Sequence, residues 1–251
     1  MPHFLVGRFG QAGGLAFFVA ACLVFRSEQL AAQAAADFPD ELRARALAAT
    51  VRVCNPAEKK EGSGVIVGRT GSFVYVLTAH HIVTGADGIE IFVFARHGDP
   101  KASKIYRDGQ VVAKAADLRD LALIRIRTDD KMLSILPICP ASETPKGDGF
   151  PALSLGCSAG HAPTAIAHYS LGQKKVRQKA DPEMAYFWET PGMVAKGRSG
   201  GPLIDQRGFV IGICSGTSDG KGYFTHTHEI HRFLKQNAFD WLADKDTRPQ
   251  R

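Results

Sequence analysis

The stretch Gly197-Arg198-Ser199-Gly200-Gly201-Pro202-Leu203 sets a serine hydroxyl among glycines. Glycine permits turns that other residues resist, so such a segment can aim several backbone N–H groups at one small volume while presenting the serine as a nucleophile. The amides of Gly197 and Ser199 would be the two donors of an oxyanion hole. A serine hydroxyl is a weak nucleophile by itself. Acyl transfer through it requires a base, and the base requires a carboxylate to orient it. Both residue types occur upstream. Thr78-Ala79-His80-His81 closes a strongly apolar run, and Asp120-Leu121-Ala122-Leu123-Ile124 opens another. Taken alone, the histidine pair is open to three readings: a metal pair, a packing feature, or a catalytic base. Asp117, three residues before Asp120, competes for the carboxylate role and reads as a turn residue.

Residues this far apart in sequence meet only if long-range pairing of strands carries them together. From Thr50 to about Thr227 the chain consists of short β-type runs broken by Gly, Pro, Asp and Ser, with no long stretch at helical period. Six runs begin at Val51, Gly64, Phe73, Ile89, Gly109 and Leu121. A second series begins at Ala152, Thr164, Lys174, Ala185, Gly201, Gly208 and Gly222. Between them, Pro137 to Gly149 is rich in proline, glycine and polar residues and reads as a linker. The expectation is an all-β protein of two six-stranded antiparallel barrels, one over residues 37–136 and one over 150–226, joined by the 137–149 linker. After Thr227, its expected N-cap, residues Ile230, Phe233, Leu234, Ala238, Trp241 and Leu242 recur at helical spacing, which predicts a C-terminal helix and tail over 227–251. A shorter helix is expected within Asp37 to Ala49.

With these motifs in order, the chain resembles the trypsin-like (chymotrypsin-fold) serine peptidases, and within them the bacterial Deg/HtrA proteases. The resemblance covers about Thr50 to Leu234. Gly62-Ser63-Gly64-Val65-Ile66-Val67 is similar to the family's G-S-G strand, Thr78 to Val83 to its T-A-A-H-x-V motif, Asp120 to Ile124 to D-L-A-L-L, and Gly197 to Pro202 to G-x-S-G-G-P. The resemblance implies a triad of His81, Asp120 and Ser199 in the cleft between two barrels, with His80 where the family has a small residue. It implies no cofactor. Met193 and Val194 would floor the specificity pocket and Cys214, Ser215 and Gly216 would wall it. With no aspartate at the floor, an apolar P1 residue is expected. Arg198 departs from the family, which has Asp or Asn there. An arginine cannot make the ion pair with a new N-terminal amine that activates digestive zymogens, so activation by such cleavage is not expected. No PDZ domain is expected after the second barrel. The alternative reading is a catalytically impaired domain that binds peptides or acts as a scaffold, with Arg198 and His80 as the features favouring it.

The remaining sequence bounds the setting. The 251 residues are 45% hydrophobic and 22% charged, an ordinary soluble composition, with a formal net charge of +6. The densest basic run, Lys174, Lys175, Arg177 and Lys179, has no aromatic interleaved and reads as a solvated hairpin face, so no nucleic-acid partner is expected. The expected partner is a polypeptide substrate, and the sequence carries no signal for an oligomeric state. In residues 1–36, Arg8 precedes the apolar run Gly13 to Phe25, and Leu30 to Ala36 is a small-residue stretch, the order of an export signal. The run is shorter than the roughly 20 residues of a spanning helix. A periplasmic or secreted protein is therefore expected, with an uncleaved N-terminal anchor as the alternative. Val19-Ala20-Ala21-Cys22 also resembles a lipoprotein box, but Leu23-Val24-Phe25 continues the apolar run past it. Cys54, Cys139, Cys157 and Cys214 form no C-x-x-C pair, so no zinc site is expected. Export would permit disulfides among the four, and three pairings are open. His226, His228 and His231 invite a metal reading, but strand spacing for the first two and a helix start before the third set them apart.

Overall fold

The computed structural model describes residues 33, 36–86, 88–94, 101–169, 171–177 and 184–244. The apolar run of the expected export signal lies outside these residues. The chain divides into a short unit, Met1–Pro39, and a large one, Asp40–Arg251. The large unit opens with helix α1 (Asp40–Ala49), which leads directly into the first six strands: β1 (Thr50–Asn55), β2 (Lys60–Thr70), β3 (Phe73–Ala79), β4 (Ile89–Val93), β5 (Lys104–Ala115) and β6 (Leu121–Arg127). They close a barrel in the order β1-β2-β3-β6-β5-β4. Closure comes from β1 against β4, where Val53 faces Ile91. Val51, Val53, Ile66, Val74, Val76, Ile89, Ile91, Ile124 and Ile126 fill its interior. These are mostly β-branched side chains on alternate strand positions, as a small barrel requires.

The second half holds seven strands: β7 (Ala152–Gly156), β8 (Thr164–His168), β9 (Gly172–Arg177), β10 (Met184–Pro191), β11 (Pro202–Asp205), β12 (Val210–Ser218) and β13 (Lys221–His226). Their order is β8-β7-β11-β12-β13-β10-β9, with no closure between β8 and β9 among the described residues. The expected second six-stranded barrel is thus corrected to an open seven-stranded sheet. The outer strands account for this. Alternate residues of β8 are exposed, and β9 turns Gln173, Lys174 and Lys175 to solvent, so neither offers a face for further burial. The sheet's core packs around Trp188, whose Nε1 donates to the Ile211 carbonyl at 2.8 Å, with Leu203, Ile211 and Phe224 beside it.

The C-terminal helix is shorter than its periodicity implied. It spans Thr227–Gln236 (α3), and after Ala238, at φ +60°, the chain resumes as a 3-10 turn over Asp240–Ala243. Trp241 and Leu242 leave the helix to cover the first barrel: the Trp241 ring meets Tyr75 edge-on at 5.3 Å, and Leu242 fills the space over Gly68. The expected Thr227 cap is also corrected. The Thr227 hydroxyl donates to the Ile211 carbonyl at 2.6 Å, and the cap is His226, whose Nδ1 accepts the His228 amide at 3.0 Å.

Burial pushes His226 down to about 4, with His228 adding to it, and pushes His168 down to about 4, with the Arg198 charge adding to it. Both rings are neutral when folded and take up protons near pH 6.5 when unfolded. The unfolded chain therefore binds more protons between pH 6.5 and about 4, and stability falls as pH drops through that window. Denaturant midpoints should decrease from pH 7 to pH 4. His226→Asn, which keeps a cap acceptor, should reduce that decrease.

Candidate active site

The Gly197–Gly201 segment that bears Ser199 is held by the first barrel. Ser63 on β2 donates its amide to the Ser199 carbonyl at 2.7 Å and its hydroxyl to the Gly197 carbonyl at 2.8 Å, and its Oγ accepts the Cys157 amide at 2.8 Å. Thr78 Oγ1, from β3, donates to the Ser63 carbonyl at 2.6 Å. This approach leaves no room for a side chain at Gly200: a Cβ there would lie 2.1 Å from the Ser63 carbonyl oxygen, and φ is +83°. Gly197 is confined in the same way, at φ +91°, with the Cys157 carbonyl 2.5 Å from where a Cβ would sit. The amides of Arg198, Gly200 and Gly201 donate to Ala195, Cys214 and Arg198 carbonyls. Those of Gly197 and Ser199 donate to no protein acceptor among the described residues, while the Lys196 carbonyl accepts the Ala159 amide at 3.0 Å. Two amides on either side of Arg198 thus remain free.

His81 stands at the start of a single helical turn, α2 (His80–Val83), which begins where β3 ends. Its Nδ1 is 2.7 Å from Asp120 Oδ2, and its amide donates to Asp120 Oδ1 at 2.9 Å. Asp120 lies at the end of a tight turn. It has φ +49°, a left-handed conformation that aspartate tolerates better than most residues, and its amide donates to the Asp117 carbonyl at 3.0 Å. Asp117 accepts the Arg119 amide and guanidinium, and these hydrogen bonds hold its carboxyl below the usual range. Arg119 ties the turn to the second half, because its carbonyl accepts the Thr225 hydroxyl at 2.8 Å and its guanidinium donates to Gln236 on α3. Asp117 is therefore a turn residue paired with Arg119.

His81 and Ser199 line one cleft of about 1000 Å³, together with Asn55, Ile82, Val194, Lys196, Gly197, Gly216 and Thr217. His80 does not line it. It borders a separate cavity of about 520 Å³ with Val83, Val111, Lys114 and Asn237, and burial lowers its basicity. Arg198 also turns away from the cleft and is 1% exposed. Of the five residues expected to form the specificity pocket, Val194 and Gly216 line the cleft, whereas Met193 is exposed. Cys214 is buried in the sheet core, its thiol pushed up to about 12 by burial. Ser215 donates its hydroxyl to Asp120 Oδ2 at 2.9 Å. That contact, and the Ser63 clamp, are roles the motifs did not assign. A serine within G-S-G on a predicted strand was the available signal for Ser63.

The histidines near α3 have separate partners: His226 meets Gln173 at 3.1 Å, and His231 Nε2 meets the Cys139 carbonyl at 2.8 Å. No group of three or more His, Cys, Asp or Glu among the described residues could hold a metal ion. Cys54, Cys139, Cys157 and Cys214 are free thiols.

Residues 62–213 match the trypsin-like peptidase domain, and the chain belongs to that family. Among its relatives, "Serine endoprotease DegS" of Haemophilus influenzae is 32% identical over 158 residues, covering 61% of this chain and 40% of that protein. A "Probable periplasmic serine endoprotease DegP-like" of Hahella chejuensis is 31% identical over 154 residues, covering 61% of this chain and 29% of that protein. The chain thus spans well under half the length of these relatives. In fold, it is similar to the Rv3671c protease of M. tuberculosis in its inactive form, with TM-score 0.63 and 22% identity over 81% of this chain and 94% of that one. The serine endoprotease from Yersinia pestis gives 0.58 and 24%, over 78% and 65%. No helix among the described residues is long and apolar enough to cross a membrane.

The Ser63 clamp predicts a specific loss. Ser63→Ala leaves the buried Cys157 amide and Gly197 carbonyl without that partner, which should cost about 1–3 kcal/mol of stability in thermal or denaturant unfolding. Gly200→Ala, which adds a clash with backbone to a left-handed conformation, should cost at least as much.

Proposed function

We propose that the chain is a serine endopeptidase that cleaves polypeptides through a His81-Asp120-Ser199 triad and an acyl-enzyme. The observation that carries this is the 2.7 Å contact of His81 Nδ1 with Asp120 Oδ2, made by a ring that lines the same cleft as Ser199. Asp120, held by the Ser215 hydroxyl, fixes the proton of His81 on Nδ1 and leaves Nε2 as the acceptor. His81 then takes the proton of the Ser199 hydroxyl as it attacks the peptide carbonyl, and returns it to the leaving amine. The Gly197 and Ser199 amides receive the oxyanion. Water hydrolyses the acyl-enzyme by the same proton route. Membership of the trypsin-like peptidase family and relatives named serine endoproteases support the reading. The features that favoured an impaired domain lend the alternative no support, since Arg198 and His80 both face away from the cleft.

The P1 residue is proposed to be apolar and small. Val194, packed against Gly222 with its Cγ2 2.5 Å from where a Cβ there would sit, lines the cleft that holds Ser199 and gives it a branched apolar wall. The reaction is proposed to take place outside the cytoplasm, after export directed by residues 1–36 or while anchored by them.

A fluorophosphonate probe should label the protein, and Ser199→Ala should abolish labelling. Labelling that survives Ser199→Ala, or none in the folded unaltered protein, would reject the proposal. Asp120→Asn should slow turnover by about 10⁴-fold. In a peptide-library profile, Val194→Ala should shift P1 preference to larger apolar residues, and a preference for Lys or Arg would overturn the pocket assignment.

A further inference from the structure

Arg198 stands between the two free amides, and its side chain is among the largest that are fully buried. Among the described residues, its guanidinium is bound only by neutral oxygens. Nη1 donates to the Gly156 carbonyl at 3.3 Å, the Thr164 carbonyl at 3.3 Å and Thr164 Oγ1 at 2.9 Å; Nη2 donates to the Ser154 carbonyl at 2.8 Å and Ser154 Oγ at 3.3 Å. No carboxylate is among these partners. Burying a cation without a counter-charge is costly, and a packed apolar side chain would fill the same volume without that cost. The arrangement calls for what an apolar side chain lacks, which is a rigid fork able to reach several acceptors at once. The acceptors lie across paired strands, since Ser154 faces Ile166 and Gly156 faces Thr164 in the β7–β8 register. The guanidinium therefore pins the nucleophile loop to the end of this hairpin.

The loop needs such a pin. Gly197 and Gly200 both occupy left-handed conformations, and a peptide beside glycine can rotate at little steric cost. Rotation of the peptide before Gly197 would turn its amide out of the hole. Ser63 holds the Gly197 and Ser199 carbonyls from the barrel side, and Arg198 is the only side chain of the Gly197–Gly201 stretch anchored to the sheet among the described residues.

We propose that Arg198 is a positioning residue, whose guanidinium, gripped by the oxygens of Ser154, Gly156 and Thr164, holds the Gly197 and Ser199 amides aimed at the oxyanion without any carboxylate partner. The inference rests on Ser199 being the nucleophile. In place of an ion pair formed on cleavage, the loop is ordered by a cation already within the chain.

The test compares the full chain with Arg198→Gln and Arg198→Lys, measuring the rate of fluorophosphonate labelling and, in a Ser199→Ala background, the affinity for a fluorescently labelled unfolded protein. Loss of donor alignment should slow labelling by about 100-fold in Arg198→Gln, the scale of losing one oxyanion donor. Affinity should stay within about twofold, because ground-state binding makes little use of the hole. Arg198→Lys, which keeps the charge but reaches fewer acceptors, should fall between, and dilute guanidinium ion should partly restore labelling to Arg198→Gly. Labelling at the unaltered rate in folded Arg198→Gln, or parallel loss of labelling and affinity, would overturn the inference. If Arg198→Gln does not fold, Arg198→Lys decides: an unaltered labelling rate overturns the inference, and a slowed rate with retained affinity supports it. Absence of Ser199-dependent labelling in the unaltered protein would instead strike the peptidase reading itself.

Discussion

The site depends on the contact between Ser63 and the loop that bears Ser199. A strand of the closed barrel and a loop of the second sheet approach until the Ser63 amide is 2.7 Å from the Ser199 carbonyl. The same serine takes up the Gly197 carbonyl and the Cys157 amide, so three backbone groups of the second half are satisfied by one residue of the first. Buried backbone polar groups without partners are costly, which makes this seam a requirement of folding as well as of alignment. The glycine at 200 follows from it, since any side chain there would meet the Ser63 carbonyl.

A second seam carries the carboxylate. The turn Asp117–Asp120 belongs to the first barrel, yet Arg119 ties it to β13 and α3, and Ser215 of β12 holds Asp120 directly. His81, from the barrel, meets this carboxylate with both its ring and its amide. Each half thus holds a residue supplied by the other: Ser63 holds the loop that bears Ser199, and Ser215 holds the aspartate that His81 contacts. A shift between the halves would disturb His81 and Ser199 together, the residues proposed as base and nucleophile.

Much of this was legible along the chain. All thirteen strands among the described residues correspond to β-type runs, because short apolar and β-branched stretches bounded by Gly, Pro, Asp and Ser are visible in residue order. The segments bearing His81, Asp120 and Ser199 stood out because a glycine-flanked turn and the apolar strands around it restrict residue types over several consecutive positions. The break in the C-terminal helix was not legible, since Trp241 and Leu242 keep helical spacing but are drawn onto Tyr75 and Gly68. The cap at His226 was missed for a related reason: a buried neutral imidazole can accept an amide proton, but whether it is buried depends on strands distant in sequence.

Residue order alone therefore specified the β character, the number of strand runs and the three segments that bear the proposed triad, all properties carried by neighbouring residues. It pointed wrongly to a closed second barrel, and it left open which side His80 faces, what Arg198 binds, and that Ser215 and Ser63 hold the site from opposite halves. Those were decided by packing. Each depends on hydrogen bonds and close approaches between strands far apart in the chain, where a single residue type is compatible with several partners until the fold supplies one.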